Sequence, residues 1–293
     1  MAIPLIVNPA AGRGSGERLG NDIRAQLAAH GVTAELICSR APGDVAVRVQ
    51  AALRDQPECI LIAGGDGSVH EAVNGWLHAG GGAPLGIIPV GTGNDFAKMV
   101  APHADWREAC ARIAHGKCRD IDVGRCNDFY FANSIGLGFD AQVALEANHM
   151  QWLHSKIVYG VALFKTLLLD HRTPTVHIRG GDIDLKQPIT LVAINNGRVE
   201  GGSFVLAPNA EIDDGLLDVV IAGGLSRLGI LRLVPRVLAG THLTHRCVTA
   251  FRTTKLTIDS DTGLTVHADG EIRYLDATRL EIEVMPKRLS VMT

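Results

Sequence analysis

The sequence lacks the features of a nucleic-acid-binding or membrane-spanning protein. Its 28 Lys and Arg residues are outnumbered by 31 Asp and Glu residues, its formal net charge is −3, and its basic residues form no run. No apolar stretch reaches the roughly 20 residues that a membrane-spanning helix needs. We therefore expect no nucleic-acid partner, no polybasic membrane patch and no transmembrane segment.

Disulfide and transition-metal patterns are missing as well. The six cysteines form no C-x-x-C pair and show no zinc spacing, and the twelve histidines include no H-E-x-x-H. The first apolar residues are too few for a secretory signal. These absences favour a cytoplasmic protein with reduced thiols and no transition-metal site. The cysteines are Cys38, Cys59, Cys110, Cys118, Cys126 and Cys247.

The chain has 293 residues, which is more than a single hydrophobic core usually contains and is a typical length for two domains. Of these residues, 46% are apolar. The first 122 alternate short apolar runs with helical periodicity, which predicts a doubly wound parallel sheet covered on both faces. The predicted strands are Ile3–Val7, Thr33–Cys38, Cys59–Ala63 and Leu85–Ile88. The predicted helices are Glu17–His30, Asp44–Arg54 with Asp44 as N-cap, and one from Ser68 onward.

The run from Ile60 to Gly75 is the stretch around which the prediction is built. Four apolar residues suit a buried strand, and the glycines after it allow a ligand to approach bare backbone N–H groups at a helix N-terminus. Asp66 lies in the middle of this phosphate-binding pattern. A carboxylate beside a phosphate is unfavourable unless a divalent cation or a reacting hydroxyl lies between them, so the pattern indicates phosphoryl transfer.

The alternative is that strand, glycine turn and helix form the ordinary connection of any α/β protein. The glycines on both sides of Asp66 and a further glycine turn after the fourth strand, where Gly91 and Gly93 flank Thr92, favour the functional interpretation. Asn94 and Asp95 then lead into the next helix, where one can cap it and the other can face the site. The loop after the first strand, residues 8–16, is also rich in glycine but matches neither G-x-x-x-x-G-K-[ST] nor G-x-G-x-x-G, so on its own it does not decide between the two interpretations.

Beyond about Asp122, short alternating segments with tight turns predict an antiparallel β-sandwich. The predicted strands are Ile121–Cys126 and Phe129–Asn133 around Asn127-Asp128, Thr175–Arg179 and Asp182–Leu185 around Gly180-Gly181, Pro188–Ile194, Leu217–Ala222, Lys255–Asp259, Leu264–Ala268 and Leu280–Val284. Two helices, Ser155–Leu169 and Ser226–Ala239, interrupt them. The first is apolar over more than half its circumference; core packing is the favoured explanation, and a wall of an acyl-chain groove is the alternative.

Five motifs in one order closely resemble the bacterial diacylglycerol/lipid kinase family, relatives of sphingosine and ceramide kinases. They are Asn8-Pro9 with Gly12, Gly64-Gly-Asp-Gly-Ser68, Gly91-Thr-Gly-Asn-Asp95, Pro208 to Asp218, and His267-Ala-Asp-Gly-Glu271. Ser68 replaces the usual threonine and keeps its hydroxyl. His70 replaces the usual bacterial asparagine, as in sphingosine and ceramide kinases.

The resemblance implies roles for particular residues. Glu271 matches the proton acceptor of the family, and Asp66 is assigned to the Mg-nucleotide or to the base itself. ATP contacts are expected from Asn8, Gly12, Ser39, Gly64, Gly65, Asp66, Gly67, Ser68, Val69, His70, Thr92 and Asn94. A structural Mg²⁺ is expected at Glu211, Asp214 and Leu216, two of them through backbone carbonyls.

The prediction is therefore an ATP- and Mg²⁺-dependent lipid kinase that acts on a diacylglycerol-like or long-chain lipid at the membrane surface, with a homodimer left open. Residues 1–122 form the nucleotide-binding domain, to which the tail at about 286–293 returns, and residues 123–285 form the lipid domain. The alternatives are an NAD kinase-like or phosphofructokinase-like enzyme and a non-catalytic nucleotide- or lipid-binding regulator. The sequence has neither the Thr-Pro-Thr-Gly-Ser run of the first enzyme nor the Thr-Ile-Asp-Asn-Asp signature of the second.

Overall fold

The computed structural model describes residues 2–11, 16–101, 105–148, 161–167 and 172–293. The chain divides into two compact units. Unit 1 comprises Met1–Asp122 and Lys287–Thr293, and unit 2 comprises Val123–Pro286. No helix in the described ranges is both long and apolar enough to cross a membrane.

Unit 1 alternates strands and helices, as predicted. Its strands are β1 Ile3–Val7, β2 Ala34–Cys38, β3 Ile60–Gly64 and β4 Leu85–Pro89. Its helices are α1 Gly16–Ala29, α2 Asp44–Arg54, α3 Asp66–His78, α4 Asp95–Val100 and α5 Trp106–Ala114. The four strands are parallel, in the order β4-β3-β1-β2, and β3 is buried along its whole length. Strands covered on both faces read as continuous apolar runs, which is why these four were predictable.

Residues near the C-terminus complete this sheet. Val291 pairs in parallel with Leu85 of β4, and Met292 belongs to the apolar core formed by the helices and strands of the unit. The carboxyl ends of β1, β3 and β4 therefore lie along one edge, where ligands bind in open α/β sheets.

Unit 2 is an antiparallel β-rich unit. Its strands are β5 Cys118–Cys126, β6 Phe129–Phe131, β7 Ser134–Gly138, β8 Thr175–Gly180, β9 Ile183–Asn195, β10 Leu217–Gly223, β11 Val248–Thr253, β12 Lys255–Ala268 and β13 Glu271–Met292, of which β5 begins and β13 ends in unit 1. Its helices are α6 Phe139–Asn148, α7 over residues 161–167, and α8 Arg227–Leu238. The hairpin at Asn127-Asp128 is confirmed, since Cys126 pairs with Phe129 and Asn127 has φ 48°.

Two long strands correct the prediction of shorter segments. Strand β9 is one continuous strand, although Asp182–Leu185 and Pro188–Ile194 were predicted as two. Strand β12 is likewise continuous, although Lys255–Asp259 and Leu264–Ala268 were predicted as two, and its pairing register with β13 shifts between Asp259 and Leu264. Each pairs with β8 near its N-terminal end and with β7 near its C-terminal end. Strands shared in this way allow a sheet to fold over a core, and the buried side chains of this unit form one such cluster.

Strands β7 and β11 and helix α6 were not predicted. Helix α8 was predicted within one residue at each end, and the Ser226 side chain caps it by accepting a hydrogen bond from Gly229 N. Of the predicted helix Ser155–Leu169, only residues 161–167 are described, and they are helical. The remainder of that prediction lies outside the described residues.

Candidate active site

Two glycine-containing bends touch each other at the edge of the parallel sheet. The first bend is Gly64-Gly65, at the end of β3, and the second is residues 91–93, after β4. Because β3 and β4 are neighbours, Gly64 pairs with Pro89, and Val90 N donates to Gly64 O at 3.1 Å. A Cβ on Gly91 would lie 2.5 Å from the Cα of Gly65. Only glycine permits this approach, and it leaves backbone rather than side chains lining the contact.

Helix α3 begins at Asp66, two residues earlier than predicted. The first turn of a helix carries N–H groups without partners inside the helix, and its dipole favours an anion there. Gly65 precedes the helix in an extended conformation and offers no side-chain cap. The N-terminus of α3 therefore lies directly at the contact between the two bends.

Asp66 connects the two bends. Its Oδ1 accepts a hydrogen bond from Phe96 N at 3.2 Å, at the start of α4. Its Oδ2 would lie 2.6 Å from a Cβ placed on Gly93. The carboxylate thus reaches across to the second bend, and the absence of a side chain on Gly93 makes room for it.

Asn8 brings the first loop to the same edge. Its Nδ2 donates to Ser68 Oγ at 3.0 Å, its Oδ1 accepts from Ala10 N at 3.0 Å, and its own N donates to Ala63 O at 3.1 Å. A Cβ on Gly64 would lie 2.3 Å from the Cβ of Ser68. The structure therefore brings Asn8, Gly64 and Ser68 together, whereas Gly12 lies outside the described residues.

Asn94 does not cap α4 with its side chain, which corrects one of the two predicted roles for Asn94 and Asp95. It adopts a left-handed conformation with φ 52° and forms no capping hydrogen bond. Instead, its Oδ1 accepts from Gly91 N at 2.9 Å and its Nδ2 donates to Gly91 O at 2.8 Å. The Asn94 side chain thus bonds both backbone groups of Gly91 and stabilises the bend. Thr92, at the tip of this bend, is exposed. Asp95 is buried in the first turn of α4 and pairs with Lys98 at 3.1 Å.

Of the remaining predicted nucleotide contacts, three are buried, and Gly67 is half-buried in the first turn of α3. Ser39, Val69 and His70 each have less than a tenth of their surface exposed. Ser39 follows β2, and its N donates to Val7 O at 2.9 Å, so it lies at the same sheet edge as Asn8. The imidazole Nε2 of His70 lies 3.4 Å from Asn74 Nδ2 within α3.

The prediction that Asp44 caps α2 is wrong. Asp44 is the first residue of the helix, and Gly43 precedes it with φ 85°. The Glu71 carboxylate accepts from Gly43 N at 2.8 Å and from Val45 N at 3.1 Å. Glu71 of α3 thus satisfies the first N–H groups of α2, while Asp44 accepts from Arg40 N at 2.8 Å.

In unit 2, Glu271 follows a two-residue hairpin turn between β12 and β13. Ala268 pairs with Glu271, and the turn residues Asp269 and Gly270 have φ values of 51° and 86°. Positive φ at both central positions is the backbone of a type I′ turn, for which Asp-Gly is a preferred pair. Glu271 itself is exposed.

The Asp269 carboxylate fixes this turn to the segment before β7. It accepts hydrogen bonds from the backbone N–H groups of Asn133 at 2.8 Å, Ser134 at 3.0 Å and Ala132 at 3.1 Å. Asp269 N donates in return to Ser134 O at 2.9 Å. The residue immediately before Gly270 and Glu271 is therefore held by four hydrogen bonds.

A buried histidine holds the other side of the turn. His267 is fully buried; its Nε2 lies 2.9 Å from Glu200 Oε1 and 3.2 Å from Asp140 Oδ2. Its Nδ1 accepts from Gly270 N at 3.3 Å, and Ser134 Oγ donates to Glu200 Oε2 at 2.9 Å. With Nδ1 as acceptor, the single proton of the neutral ring lies on Nε2 and faces the two carboxylates.

Glu200 and His267 of this cluster both have raised pKa values. Burial raises the pKa of Glu200, and the neighbouring Asp140 carboxylate raises it further. Burial alone would lower the pKa of His267, but the Glu200 and Asp140 carboxylates raise it well above its ordinary value. The three ligand atoms lie within 4.8 Å of one another, but a metal-bound imidazole normally donates from its other nitrogen, and here Gly270 N–H points at that nitrogen.

Comparison with known proteins places this geometry in a family. Residues 2–126 match the model of the diacylglycerol kinase catalytic domain, and residues 133–293 match that of the YegS C-terminal NAD kinase beta sandwich-like domain. A diacylglycerol kinase of Mycobacterium tuberculosis is 30% identical over 296 residues, covering 99% of this chain and 94% of that protein. The chain belongs to the diacylglycerol kinase family. Another diacylglycerol kinase, from Staphylococcus epidermidis, is 28% identical and covers 91% of this chain and 84% of that protein.

Solved structures support the fold of this family member. A diacylglycerol kinase from Bacillus anthracis superposes with a TM-score of 0.75 at 21% identity and covers 99% of this chain and 96% of that one. Yeast NADH kinase, crystallised with NADH, superposes with a TM-score of 0.53 at 12% identity and covers 99% of this chain and 82% of that one. The NAD kinase-like architecture predicted from the sequence is confirmed.

In this diacylglycerol kinase family member, Arg252 of β11 contacts the loop that is expected to bind Mg²⁺. Arg252 donates to Asp214 Oδ2 at 3.2 Å, to Asp218 Oδ1 at 3.2 Å and to Asn209 O at 2.7 Å. Asp214 Oδ1 accepts from Leu216 N at 3.0 Å. Each carboxylate oxygen of Asp214 therefore accepts one hydrogen bond within the protein. The assignment of Glu211, Asp214 and Leu216 stays a prediction.

Sequence analysis found the motif His267-Ala-Asp-Gly-Glu271 but not the contacts of Asp269, His267, Glu200 and Asp140 that hold the Glu271 turn. The Asp-Gly pair is a sequence signal for the turn itself. Neither motif nor spacing linked Asp140 and Glu200 to His267, because these residues are separated by 60 or more positions in the chain.

Proposed function

We propose that this protein is an ATP-dependent lipid kinase that transfers the γ-phosphoryl group of ATP to a hydroxyl of a diacylglycerol-like or long-chain lipid. One observation carries the proposal: the Gly64-Gly65 and Gly91 bends touch at the N-terminus of α3, with the Asp66 carboxylate between them. Bare amides and a helix dipole bind phosphate, and a carboxylate beside them is suited to a Mg-nucleotide.

In this proposal, residues of unit 1 bind and orient the triphosphate. The N–H groups at the start of α3 and in the Gly91 bend donate to phosphate oxygens, and Asn94 keeps the second bend closed. Mg²⁺, when bound with ATP, neutralises phosphate charge. The hydrogen bond from Phe96 N fixes the position of the Asp66 carboxylate, which would orient the bound Mg-nucleotide.

Glu271 of unit 2 is proposed as the group that accepts the lipid hydroxyl proton. As the hydroxyl oxygen forms its bond to the γ-phosphorus, the bond from that phosphorus to the β-phosphate oxygen breaks and the proton passes to the carboxylate. The hydrogen bonds of Asp269 and Gly270 restrict where this carboxylate can lie. A rigid turn lowers the cost of orienting the base.

The test is incubation of the full-length protein with Mg²⁺ and labelled ATP in the presence of diacylglycerol, sphingosine, phosphatidylglycerol, NAD or fructose 6-phosphate in parallel. Label transfer to a lipid hydroxyl is expected. Transfer to NAD alone would support the NAD kinase-like alternative, which the structural likeness to yeast NADH kinase favours as the second candidate. Nucleotide binding without transfer to any acceptor would support a regulator.

The substitution Gly91→Ala tests the contact between the bends. Its Cβ would meet the Gly65 Cα at 2.5 Å and the Asn94 Oδ1 at 2.8 Å, and neither atom can withdraw freely. We expect ATP affinity, measured by calorimetry, to fall at least about tenfold, with a cost in unfolding free energy of about 1–3 kcal/mol. The control is Gly223→Ala, whose Cβ meets its nearest atom at 3.6 Å. Unchanged ATP affinity in Gly91→Ala would contradict a phosphate site at the bends.

The substitution Asp269→Ala tests the anchoring of the turn. Three backbone N–H groups lose their acceptor, and each buried, unsatisfied donor costs about 1–3 kcal/mol. We expect chemical denaturation to show a loss of about 3 kcal/mol or more in unfolding free energy. The matched control is Asp128→Ala at the hairpin between β5 and β6, where Asp128 accepts from Tyr274 and a smaller loss is expected. Equal losses would show that Asp269 has no special anchoring role.

A further inference from the structure

The exposed apolar side chains of this protein are concentrated on two neighbouring helices. Seven large apolar side chains are exposed in the described part of the chain, and five of them lie on α7 and α8. Single exposed apolar residues are ordinary, whereas a concentration of them marks an interaction surface. The five are Val161, Phe164, Leu228, Leu231 and Leu238; the other two are Val47 and Leu275.

Helix α8 carries two apolar stripes. Ile230, Leu233 and Val237 form the buried one and pack into the unit. Leu228, Leu231 and Leu238 form the second, and they are 44–55% exposed. At about 100° per residue, these three leucines fall within roughly 80° of one another on the side away from the core. One stripe is enough to attach a surface helix to its core, so the second has no role in folding.

The two helices pack against each other. Ile230 of α8 shares an apolar cluster with Ala162 and Leu167 of α7. Arg227 Nε also donates to Leu167 O at 2.8 Å. Val161 and Phe164, three residues apart on α7, are thus exposed on the helix that packs against α8.

The charge on α8 has one sign. The sequence Arg227–Leu238 contains three arginines and no acidic residue, in a protein whose formal net charge is −3. Arg232 and Arg236 are exposed beside the leucine stripe, and neither side chain forms an ion pair with another described residue. Exposed leucines flanked by arginines complement the apolar interior and anionic head groups of a lipid bilayer.

We propose that the exposed face of α8, formed by Leu228, Leu231, Arg232, Arg236 and Leu238, docks the protein on an anionic lipid surface. The apolar side chains of α7 extend this docking face. The leucines enter the boundary between head groups and acyl chains, and the arginines bind anionic head groups. This inference rests on the proposed function in one respect, because a lipid acceptor explains why the enzyme needs a bilayer surface.

The test is co-sedimentation of the full-length protein, without ATP, with vesicles of phosphatidylcholine alone or of phosphatidylcholine with phosphatidylglycerol. The wild type is expected to bind the anionic vesicles. The double variant Leu228→Ser/Leu231→Ser should bind them at least about tenfold more weakly. The variant Arg232→Gln/Arg236→Gln should lose about fivefold for each arginine, and only on anionic vesicles at low salt. The control Leu275→Ser removes a side chain that is 65% exposed on β13 and should bind as the wild type does.

A second assay separates docking from catalysis. Phosphorylation of a short-chain, water-soluble diacylglycerol without vesicles should be unchanged in the leucine double variant, whereas phosphorylation of vesicle-borne diacylglycerol should fall with its binding. If no lipid is phosphorylated but vesicle binding still depends on the leucines, the docking face stands and the proposed function fails. Wild-type levels of vesicle binding by the leucine double variant would overturn the docking proposal. So would size-exclusion chromatography showing that the leucines hold two copies of the chain together.

Discussion

Glu271→Gln is expected to lower the rate of phosphoryl transfer to lipid by about 100- to 10,000-fold, the usual contribution of a positioned general base. Glutamine has nearly the shape of glutamate but does not accept the hydroxyl proton. The Glu271 side chain is exposed and its carboxylate accepts no hydrogen bond from another described residue, so the substitution removes a base without removing a structural contact. ATP affinity should therefore stay within about twofold of the wild type.

Single-turnover kinetics with labelled ATP would measure this chemical step apart from binding and product release. Glu281→Gln is the matched control, because Glu281 also lies exposed on β13, where it pairs with Arg279. Near-normal single-turnover rates in Glu271→Gln would contradict the assignment of the base. They would leave Asp66 as the candidate proton acceptor.

Asp66→Asn is expected to reduce transfer by about 1,000-fold, the rate equivalent of about 4 kcal/mol. Asparagine keeps an oxygen that can accept from Phe96 N, so the link between the two bends survives. What is lost is the negative charge that holds the Mg-nucleotide. The variant should unfold at the same denaturant concentration as the wild type, and its ATP affinity should no longer rise when Mg²⁺ is added.

The measurement is a steady-state rate at several Mg²⁺ concentrations, with ATP affinity determined in parallel by calorimetry. Asp22→Asn serves as the control, since Asp22 is an exposed carboxylate on α1 in the same unit. Full activity of Asp66→Asn at every Mg²⁺ concentration would show that the carboxylate holds no metal–nucleotide complex. The glycine bends would then be an ordinary strand-to-helix connection.

The parallel half of the fold was predictable because strands that are buried on both faces consist of continuous runs of apolar residues. Strand β3 reads as an unbroken apolar run and is buried at every position. Its helix starts were less predictable, because caps can come from distant residues. The Glu71 carboxylate accepts hydrogen bonds from Gly43 N and Val45 N, which lie 28 and 26 positions earlier in the chain. No local sequence pattern predicts this cap.

The antiparallel half was predicted in class but not in strand count. The segment around Pro188 in β9 and the polar residues 260–263 in β12 resemble turns, so two long strands were divided. Proline removes one donor from a strand, but it is tolerated at edges and irregular positions of a sheet without ending the strand. Here β8 and β7 take over from each other along β9 and β12, and that exchange of partners is a tertiary feature.

The candidate site divides in the same way. The bends, Asp66 and Glu271 could be found from the sequence because each lies in a short motif of glycines and acidic residues, and because these motifs follow one another in a recognisable order. The buried cluster of Asp140, Glu200 and His267 could not, because its members come from a helix, a loop and a strand that only folding brings together. The contacts that fix Glu271 are thus a property of the fold.

Hydrogen exchange on the full-length protein, with and without Mg-ATP, tests the central claim most directly. If the two bends hold the triphosphate, ATP should protect the backbone amides of residues 64–70 and 91–95, and adenosine without phosphates should protect them far less. Protection confined to other segments, with these amides exchanging at the same rate in both conditions, would contradict the account.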